Sequence, residues 1–177
     1  MATIQDCAIL YQSLLNKEYV FTLQGDIQFK IYFPTSHFYH LMGLEKLTDI
    51  VQLKNKKANQ IYNQILKGNL SNRIIHNSNL YHLIDDRVQY FNQLPDLLTW
   101  DKSNKVIVDF DKNKLPFSSK LSNTRYILYK RSDIKHIHLT IGNKKKLYPE
   151  TFIVENGNTY ISEQILLDIL DIQVIKR

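Results

Sequence analysis

The order of helix-like and strand-like patterns restricts the fold of this chain more than any single motif. Residues 27–33 alternate apolar and polar side chains, and Gln24-Gly25-Asp26 separates them from a similar run over residues 19–23. The two runs predict a hairpin with one buried face. Later strand-like runs cover residues 106–110, 125–130, 136–141 and 151–154. This order predicts helices packed on an antiparallel β-meander, an α+β fold.

Helical periodicity lies mostly before these later strands. Residues 3–15 predict an amphipathic N-terminal helix with Cys7 on its buried stripe. Further helices are predicted near residues 36–52, 55–68 and 78–94, a short C-terminal helix over 162–170, and a closing strand over 172–175. Because no Pro-rich or Gly/Ser-rich linker interrupts the chain, we expect one domain over 1–177. Its helical and hairpin part covers 1–100, and its basic, strand-rich part covers 101–177.

Several protein classes are excluded by what the sequence lacks. No apolar run is long enough to cross a bilayer, and the N-terminus does not resemble a signal peptide, so we expect a cytoplasmic protein with no membrane contact. A single cysteine excludes an internal disulfide and a multi-cysteine zinc site. Without a Gly-rich phosphate loop or a His-Glu-x-x-His motif, nucleotide hydrolases and zinc proteases are poor candidates, and no cofactor is expected.

The positive charge is concentrated in the second half of the chain. Residues 105–146 carry eleven Lys or Arg and three Asp, whereas residues 147–175 carry five acidic residues and no Lys or Arg. A basic segment of this kind suits a partner that bears phosphates, such as RNA. A solubilising surface is an equally good interpretation of the charge alone.

Residues 37–50 combine an apolar helical pattern with a histidine. On a helical wheel His40 points the same way as Leu44, Leu47 and Val51. A titratable ring on that face needs a partner or lies at the floor of a cleft, because its burial without a hydrogen bond is costly. Lys46 points away from His40, so the two share a cleft only if the helix is irregular.

A second group of polar residues lies in the basic segment. Period-two alternation places His136, His138 and Thr140 on one strand face, which is predicted to be an exposed platform for acid–base chemistry or a face without a role. His-x-His can also bind metal, but no third ligand has a suitable spacing, so no metal site is expected.

Hydroxyl, basic and aromatic side chains near that strand could contact a nucleic acid. Ser118 and Ser119, followed by Lys120, Arg125 and Lys130, could hold a phosphate or simply form a turn. Tyr148 is a candidate for stacking on a base. Arg87, beside Asp85 and Asp86, is interpreted as a surface ion pair in preference to a phosphate ligand.

Residues 38–47, Phe-Tyr-His-Leu-Met-Gly-Leu-Glu-Lys-Leu, resemble the Phe-x-His-Leu-x-Gly-Leu-x-Lys-Leu signature of a phage-associated nuclease-like family. This is the fourth phage subtype of the group that includes barnase, EndoU, colicin nucleases and RelE. Similarity continues over residues 61–68, 118–130 and 148–152. The resemblance implies helices packed on a small antiparallel sheet, ribonuclease activity, and a setting in phages, mobile elements or toxin systems. It aligns His40, Lys46 and Ser118 with family positions.

Two hypotheses follow from these residues and the resemblance. The first is a metal-independent endoribonuclease-like protein in which His40 is the acid or base, with His138 and Ser118 as further catalytic groups. Its predicted substrate-binding residues are Lys46, Arg125, Lys130, His136 and Tyr148. The second is a non-catalytic phage or mobile-element protein of the same fold that binds and inhibits a host or defence protein. An antitoxin or host protein is a possible partner, and the oligomeric state is left open.

Overall fold

The strand-forming segments build one curled antiparallel sheet in the computed structural model, which describes residues 2–118, 121, 123–132 and 134–177. Seven strands occur within these residues: β1 (Lys17–Leu23), β2 (Ile27–Tyr32), β3 (Lys105–Ile107), β4 (Thr124–Arg131), β5 (His136–Asn143), β6 (Leu147–Glu155) and β7 (Leu166–Lys176). Their order across the sheet is β2-β1-β7-β3-β4-β5-β6. The sheet curls so far that Phe29 of β2 stacks on Tyr126 of β4, with ring centroids 4.4 Å apart.

Short helices connect β2 to β3 and pack against the sheet. The α-helices in the described residues are α1 (Ile4–Gln12), α2 (Phe38–Leu41), α3 (Ala58–Leu66), α4 (Asn72–His76) and α5 (Asp85–Tyr90). Single 3-10 turns cover Thr35–His37, Leu44–Lys46, Val51–Leu53, Tyr81–Leu83, Phe91–Gln93, Pro95–Leu98 and Lys112–Lys114. None of the helices in this described part is long and apolar enough to cross a membrane. The predicted α+β class, with an N-terminal helix followed by a hairpin, is confirmed.

An aromatic cluster joins the helices to the sheet. Thr3 and Asp6 form a reciprocal capping box at the start of α1, and Tyr11 near the end of this helix is fully buried. The Tyr11 ring contacts the rings of Phe38, Tyr62 and Phe91 at centroid distances of 5.3 to 6.5 Å. Its hydroxyl donates to the backbone oxygen of Pro34 at 2.8 Å, so the buried polar group is satisfied. Cys7 is a core residue, as predicted.

The predicted helix over residues 36–52 is wrong, because the backbone turns at Gly43. This residue has φ +71° and ψ +25°, the left-handed region that glycine adopts without strain. The helical wheel therefore does not extend past Met42. Leu41 and Met42 are buried, whereas His40 is on the exposed side of α2, with 60% of its side chain accessible.

The C-terminal part of the chain also departs from the predicted pattern. The helix predicted over residues 162–170 is wrong, because β7 begins at Leu166 and extends through the predicted closing strand. Periodicity alone cannot distinguish a short apolar strand from a short helix. Hydrogen bonding between strands determines the conformation of this segment. The β7 strand pairs with both β1 and β3 and so connects the first hairpin to the other strands.

The middle helices are shorter than the sequence predicts. The predicted helix over 55–68 is confirmed as α3. That over 78–94 is α5 flanked by 3-10 turns, and the sequence pattern does not predict α4.

Replacement of Gly43 by alanine tests the importance of the turn after α2. A Cβ atom at this position would lie 3.0 Å from Nη1 of Arg87 and 3.3 Å from Cγ2 of Ile84. Gly25, with φ +82° and no atom within 4 Å of such a Cβ, is the matched control. We expect Gly25→Ala to cost about 1 kcal/mol for the left-handed backbone alone. Gly43→Ala should cost roughly 1–3 kcal/mol more through crowding.

Urea unfolding of the two variants measures this difference directly. Equal losses of stability would show that the space beside Arg87 is not tightly filled.

Candidate functional site

A cleft of about 650 Å³ opens between the helices and the edge strand β6. The turn after α2 contributes His40, Glu45 and Lys46 to its lining. The start of α5 and the residues before it contribute His82, Asp86 and Arg87, and β6 contributes Glu150 and Thr151. Phe117, Ser118 and Tyr160 also line the cleft. The cleft thus collects basic, acidic and hydroxyl side chains from distant parts of the chain.

Arg87 is a cation held in this cleft by several hydrogen bonds. Its Nη1 donates to the backbone oxygens of His40 and Leu41 at 3.2 and 3.1 Å, and to Oγ1 of Thr151 at 3.0 Å. Gly43 makes room for the guanidinium because it has no side chain. Burial lowers the pKa of Arg87, but a guanidinium has so high a pKa that it stays charged. All three hydrogen bonds use Nη1, so the Nη2 edge has no partner among the described residues.

Two histidines line the same cleft as this cation. Nδ1 of His82 lies 3.1 Å from the backbone oxygen of Asn79. Since a carbonyl oxygen only accepts hydrogen bonds, Nδ1 carries the proton in this contact, and Nε2 is the ring nitrogen left for another partner. Nδ1 of His40 lies 3.7 Å from Oε2 of Glu45, within ion-pairing range. Both histidines line the cleft and are exposed to solvent.

Lys46 joins the two segments that carry these histidines. Its Nζ donates to the backbone oxygen of Leu83 at 3.5 Å. Lys46 and His40 line the same cleft, which a continuous helix would not allow. The irregularity at Gly43 is the reason.

A β-bulge places Glu150 at the cleft. Thr151 pairs with Thr140, and Pro149 pairs with Ile141, so Glu150 is an extra residue on β6. Such a bulge redirects a side chain locally. The Glu150 carboxylate accepts a hydrogen bond from the Thr124 hydroxyl. Asp86 is similarly engaged, since Nζ of Lys135 lies 3.0 Å from its Oδ2.

The prediction that His136, His138 and Thr140 form an exposed platform is wrong. His138 and Thr140 are fully buried, and His136 is half-buried beside Tyr129. Both faces of β5 are covered, because the sheet curls and the segment around Tyr160 packs on the face predicted to be exposed. The hydroxyl of Thr140 is used within the sheet, where it accepts from the Thr151 N–H at 3.0 Å.

His138 instead forms a buried pair with Glu155. Its Nε2 lies 3.0 Å from Oε1 of Glu155, and its ring stacks on Tyr129. The same carboxylate oxygen accepts the backbone N–H of Tyr160 at 3.2 Å, so the pair holds one wall of the cleft in place. Burial lowers the pKa of His138 and outweighs the opposing effect of Glu155. A neutral ring also agrees with its Nδ1, which is buried without a partner among the described residues.

Glu155 stays ionised in this pair. Burial tends to raise its pKa, but hydrogen bonds from His138 and from the Tyr160 N–H outweigh that effect and lower it.

Other predicted site residues lie outside the cleft. Arg125 is 3.5 Å from the carboxylate of Asp109, and Lys130 is 2.6 Å from that of Asp96. Tyr148 lies in an adjoining pocket that His40 also lines. Ser118 lines the cleft, whereas Ser119 and Lys120 lie outside the described residues. The structure therefore brings together His40, Lys46 and Ser118 from the predicted set.

Sequence reasoning misses Arg87 and His82 as residues of the cleft. The surface ion pair predicted for Arg87 is wrong, because its guanidinium turns inward to backbone carbonyls and Thr151. Arg87 lies three residues after Ile84 and four before Phe91, on the apolar stripe of its helical segment. An arginine on such a stripe is a signal that could have identified it. His82 offers no comparable signal, because it lies in a 3-10 turn and is exposed.

The part of the chain that the structure describes offers no cluster of metal ligands. No three His, Cys, Asp or Glu side chains there are placed to hold a metal ion.

A family model described as phage-Barnase-EndoU-ColicinE5/D-RelE like nuclease4 matches residues 3–168. The chain belongs to this family. The resemblance inferred from residues 38–47 is therefore confirmed, and membership indicates a phage-associated, nuclease-like protein with a nucleic acid as its substrate class. Comparison with curated proteins and with solved structures gave no match.

Acid should destabilise the protein through His138. Because its pKa is lowered in the folded state, the unfolded chain binds the additional proton below about pH 6.5, the ordinary value for histidine. Stability then falls as the pH decreases through this range, by at most about 1.4 kcal/mol per pH unit for one proton. We expect His138→Gln, which keeps a donor for Glu155, to show a smaller loss between pH 7.5 and 5.5 than the unaltered protein.

Urea unfolding at the two pH values provides the measurement. His76→Gln, at an exposed histidine of α4, should keep the original pH dependence. An unchanged dependence in His138→Gln would contradict a neutral, buried imidazole.

Proposed function

We propose that this protein is a metal-independent endoribonuclease-like enzyme that cleaves RNA by acid–base catalysis in the cleft around Arg87. The observation that carries the proposal is the convergence of two imidazoles, a lysine and a fixed guanidinium on one open cleft. Attack by a 2′-hydroxyl on the adjacent phosphate needs a base, an acid and positive charge, and these side chains supply all three.

His82 is the proposed general base. With Nδ1–H held by the carbonyl of Asn79, its Nε2 can take the proton of the ribose 2′-hydroxyl. The 2′-oxygen then forms a bond to phosphorus, and the bond from phosphorus to the 5′-oxygen breaks. His40, with Glu45 beside its Nδ1, is the proposed acid that protonates the leaving 5′-oxygen. The products are a 2′,3′-cyclic phosphate and a 5′-hydroxyl.

Arg87 and Lys46 would stabilise the charge that develops on the phosphorane. Three hydrogen bonds fix the Arg87 side chain before substrate binds, so little reorganisation is needed during the reaction. A guanidinium also presents paired N–H donors to two phosphate oxygens. The hydroxyl of Ser118 is a further proposed phosphate ligand in the same cleft. His138 is proposed to position Tyr160 through Glu155 and not to contact RNA.

Arg87→Lys tests the role of the guanidinium. Lysine keeps the charge but cannot form the same set of fixed hydrogen bonds, so the cleavage rate should fall roughly 10²–10³-fold. The assay uses a labelled oligoribonucleotide with excess EDTA. Arg73→Lys, at an exposed arginine of α4 outside the cleft, should keep the original rate.

Single alanine variants of His40 and His82 belong in the same assay. Each variant should cleave RNA roughly 10²–10⁴-fold more slowly than the unaltered protein, because it lacks one of the two proton-transfer groups. His76→Ala is the matched control. If the folded, unaltered protein leaves RNA intact, the nuclease proposal fails, and the non-catalytic inhibitor of a host or defence protein becomes the better account.

A further inference from the structure

A second pocket of about 710 Å³ adjoins the cleft. His40 and Glu150 line both spaces, so a chain that leaves the cleft past His40 enters this pocket directly. Its other walls come from the turn between β5 and β6, from His37, and from Tyr32 at the end of β2.

The turn between β5 and β6 gives the pocket a strong positive charge. Lys144, Lys145 and Lys146 are consecutive and exposed, and all three line the pocket. No carboxylate of the described residues lies within ion-pairing distance of them, unlike Lys130 and Lys135 elsewhere on the surface. Unneutralised lysines at a concave surface suit a phosphate, whose binding releases counterions.

An aromatic wall with a fixed geometry stands next to these lysines. The Tyr148 ring lies so close to the backbone of β5 that a Cβ atom at Gly142 would be 2.5 Å from its Cζ. On another side it makes an edge-to-face contact with His37, with centroids 5.5 Å apart. His37 is itself held, because its Nδ1–H donates to the backbone oxygen of Pro149 at 2.8 Å. Tyr148 is therefore an aromatic ring that is packed on two sides and lines a basic pocket.

We propose that this second pocket is a nucleotide subsite for single-stranded RNA. The lysines at 144–146 hold the phosphate next to the scissile one, and Tyr148 stacks on the base of that nucleotide. Base stacking on a side chain requires an unpaired base, which is why single strands and not duplexes fit the pocket. The subsite rests on the proposed function, because the RNA would extend from the cleft past His40 into the second pocket.

Binding of a single-stranded 2′-O-methyl oligoribonucleotide measures the subsite without cleavage, since the attacking hydroxyl is blocked. The triple variant Lys144→Gln, Lys145→Gln, Lys146→Gln should bind at least tenfold more weakly. A plot of the logarithm of the binding constant against the logarithm of the salt concentration should have a shallower slope for this variant. The slope should change by about 0.7 for each phosphate that the protein no longer neutralises. The control variant carries glutamine at Lys54, Lys67 and Lys102, which are exposed and lie outside both pockets. It should bind the oligoribonucleotide as tightly as the unaltered protein does.

Two substitutions at Tyr148 separate stacking from charge. Tyr148→Leu should weaken binding roughly tenfold with the salt dependence unchanged, whereas Tyr148→Phe should retain binding. A duplex of the same sequence should bind more weakly than the single strand. Equal binding of duplex and single strand, or no effect of Tyr148→Leu, would mean that the lysines are a general contact for polyanions and would overturn the subsite.

The cleavage assay distinguishes the subsite from the proposed function. If RNA is cleaved but the lysine triple variant binds normally, the subsite is wrong and the nuclease stands. If the binding pattern appears as expected and no RNA is cleaved, the subsite stands as an RNA-binding surface and the nuclease fails.

Discussion

The guanidinium of Arg87 connects the parts of this molecule that form the cleft. Its Nη1 joins α5 to the carbonyls at the end of α2 and to the hydroxyl of Thr151 on β6. A half-buried cation of this kind is costly unless its hydrogen bonds are satisfied, so the surrounding backbone must adopt one arrangement. The left-handed turn at Gly43 is part of that arrangement, because any side chain there would crowd the guanidinium.

The distribution of charge in the cleft follows from the same architecture. The acidic residues that line it have partners, with Asp86 bound to Lys135 and Glu150 to Thr124. Arg87 has no ion-pair partner among the described residues and keeps one edge available for an anion. The pair of His138 and Glu155 holds the backbone of Tyr160, another residue that lines the cleft. Polar groups that could compete for a bound phosphate are thus largely engaged within the protein.

Sequence patterns predict the parts of the fold that depend on local periodicity. The first hairpin, α1, α3 and the strands of the basic segment follow alternation or helical spacing and lie where expected. The segment 36–52 does not lie where expected. A helical wheel assumes a continuous helix, and Gly43, with its positive φ, interrupts the helix. The β7 strand cannot be predicted from local sequence patterns either, because its conformation is set by pairing with strands that are distant in sequence.

The candidate site is predicted only in part, for the same physical reason. The signature around His40 identifies the turn that carries His40 and Lys46, and its match to the family is confirmed. Whether β5 has an exposed face depends on how far the sheet curls, so the burial of His138 does not follow from alternation. Arg87 reaches the cleft only through hydrogen bonds to segments more than forty residues away.

The chemical ends of the cleavage products test the central claim most directly. The assay is carried out in EDTA and compares two substrates. The first is an oligonucleotide with a ribose at only one position, where cleavage can occur, and the second is the same oligonucleotide with a 2′-deoxyribose at that position. We predict fragments that end in a 2′,3′-cyclic phosphate and a 5′-hydroxyl from the first, and no cleavage of the second, because the 2′-oxygen is the nucleophile. Fragments with 3′-hydroxyl and 5′-phosphate ends, or equal cleavage of the deoxy substrate, would contradict a cleft that acts through acid–base attack by the ribose.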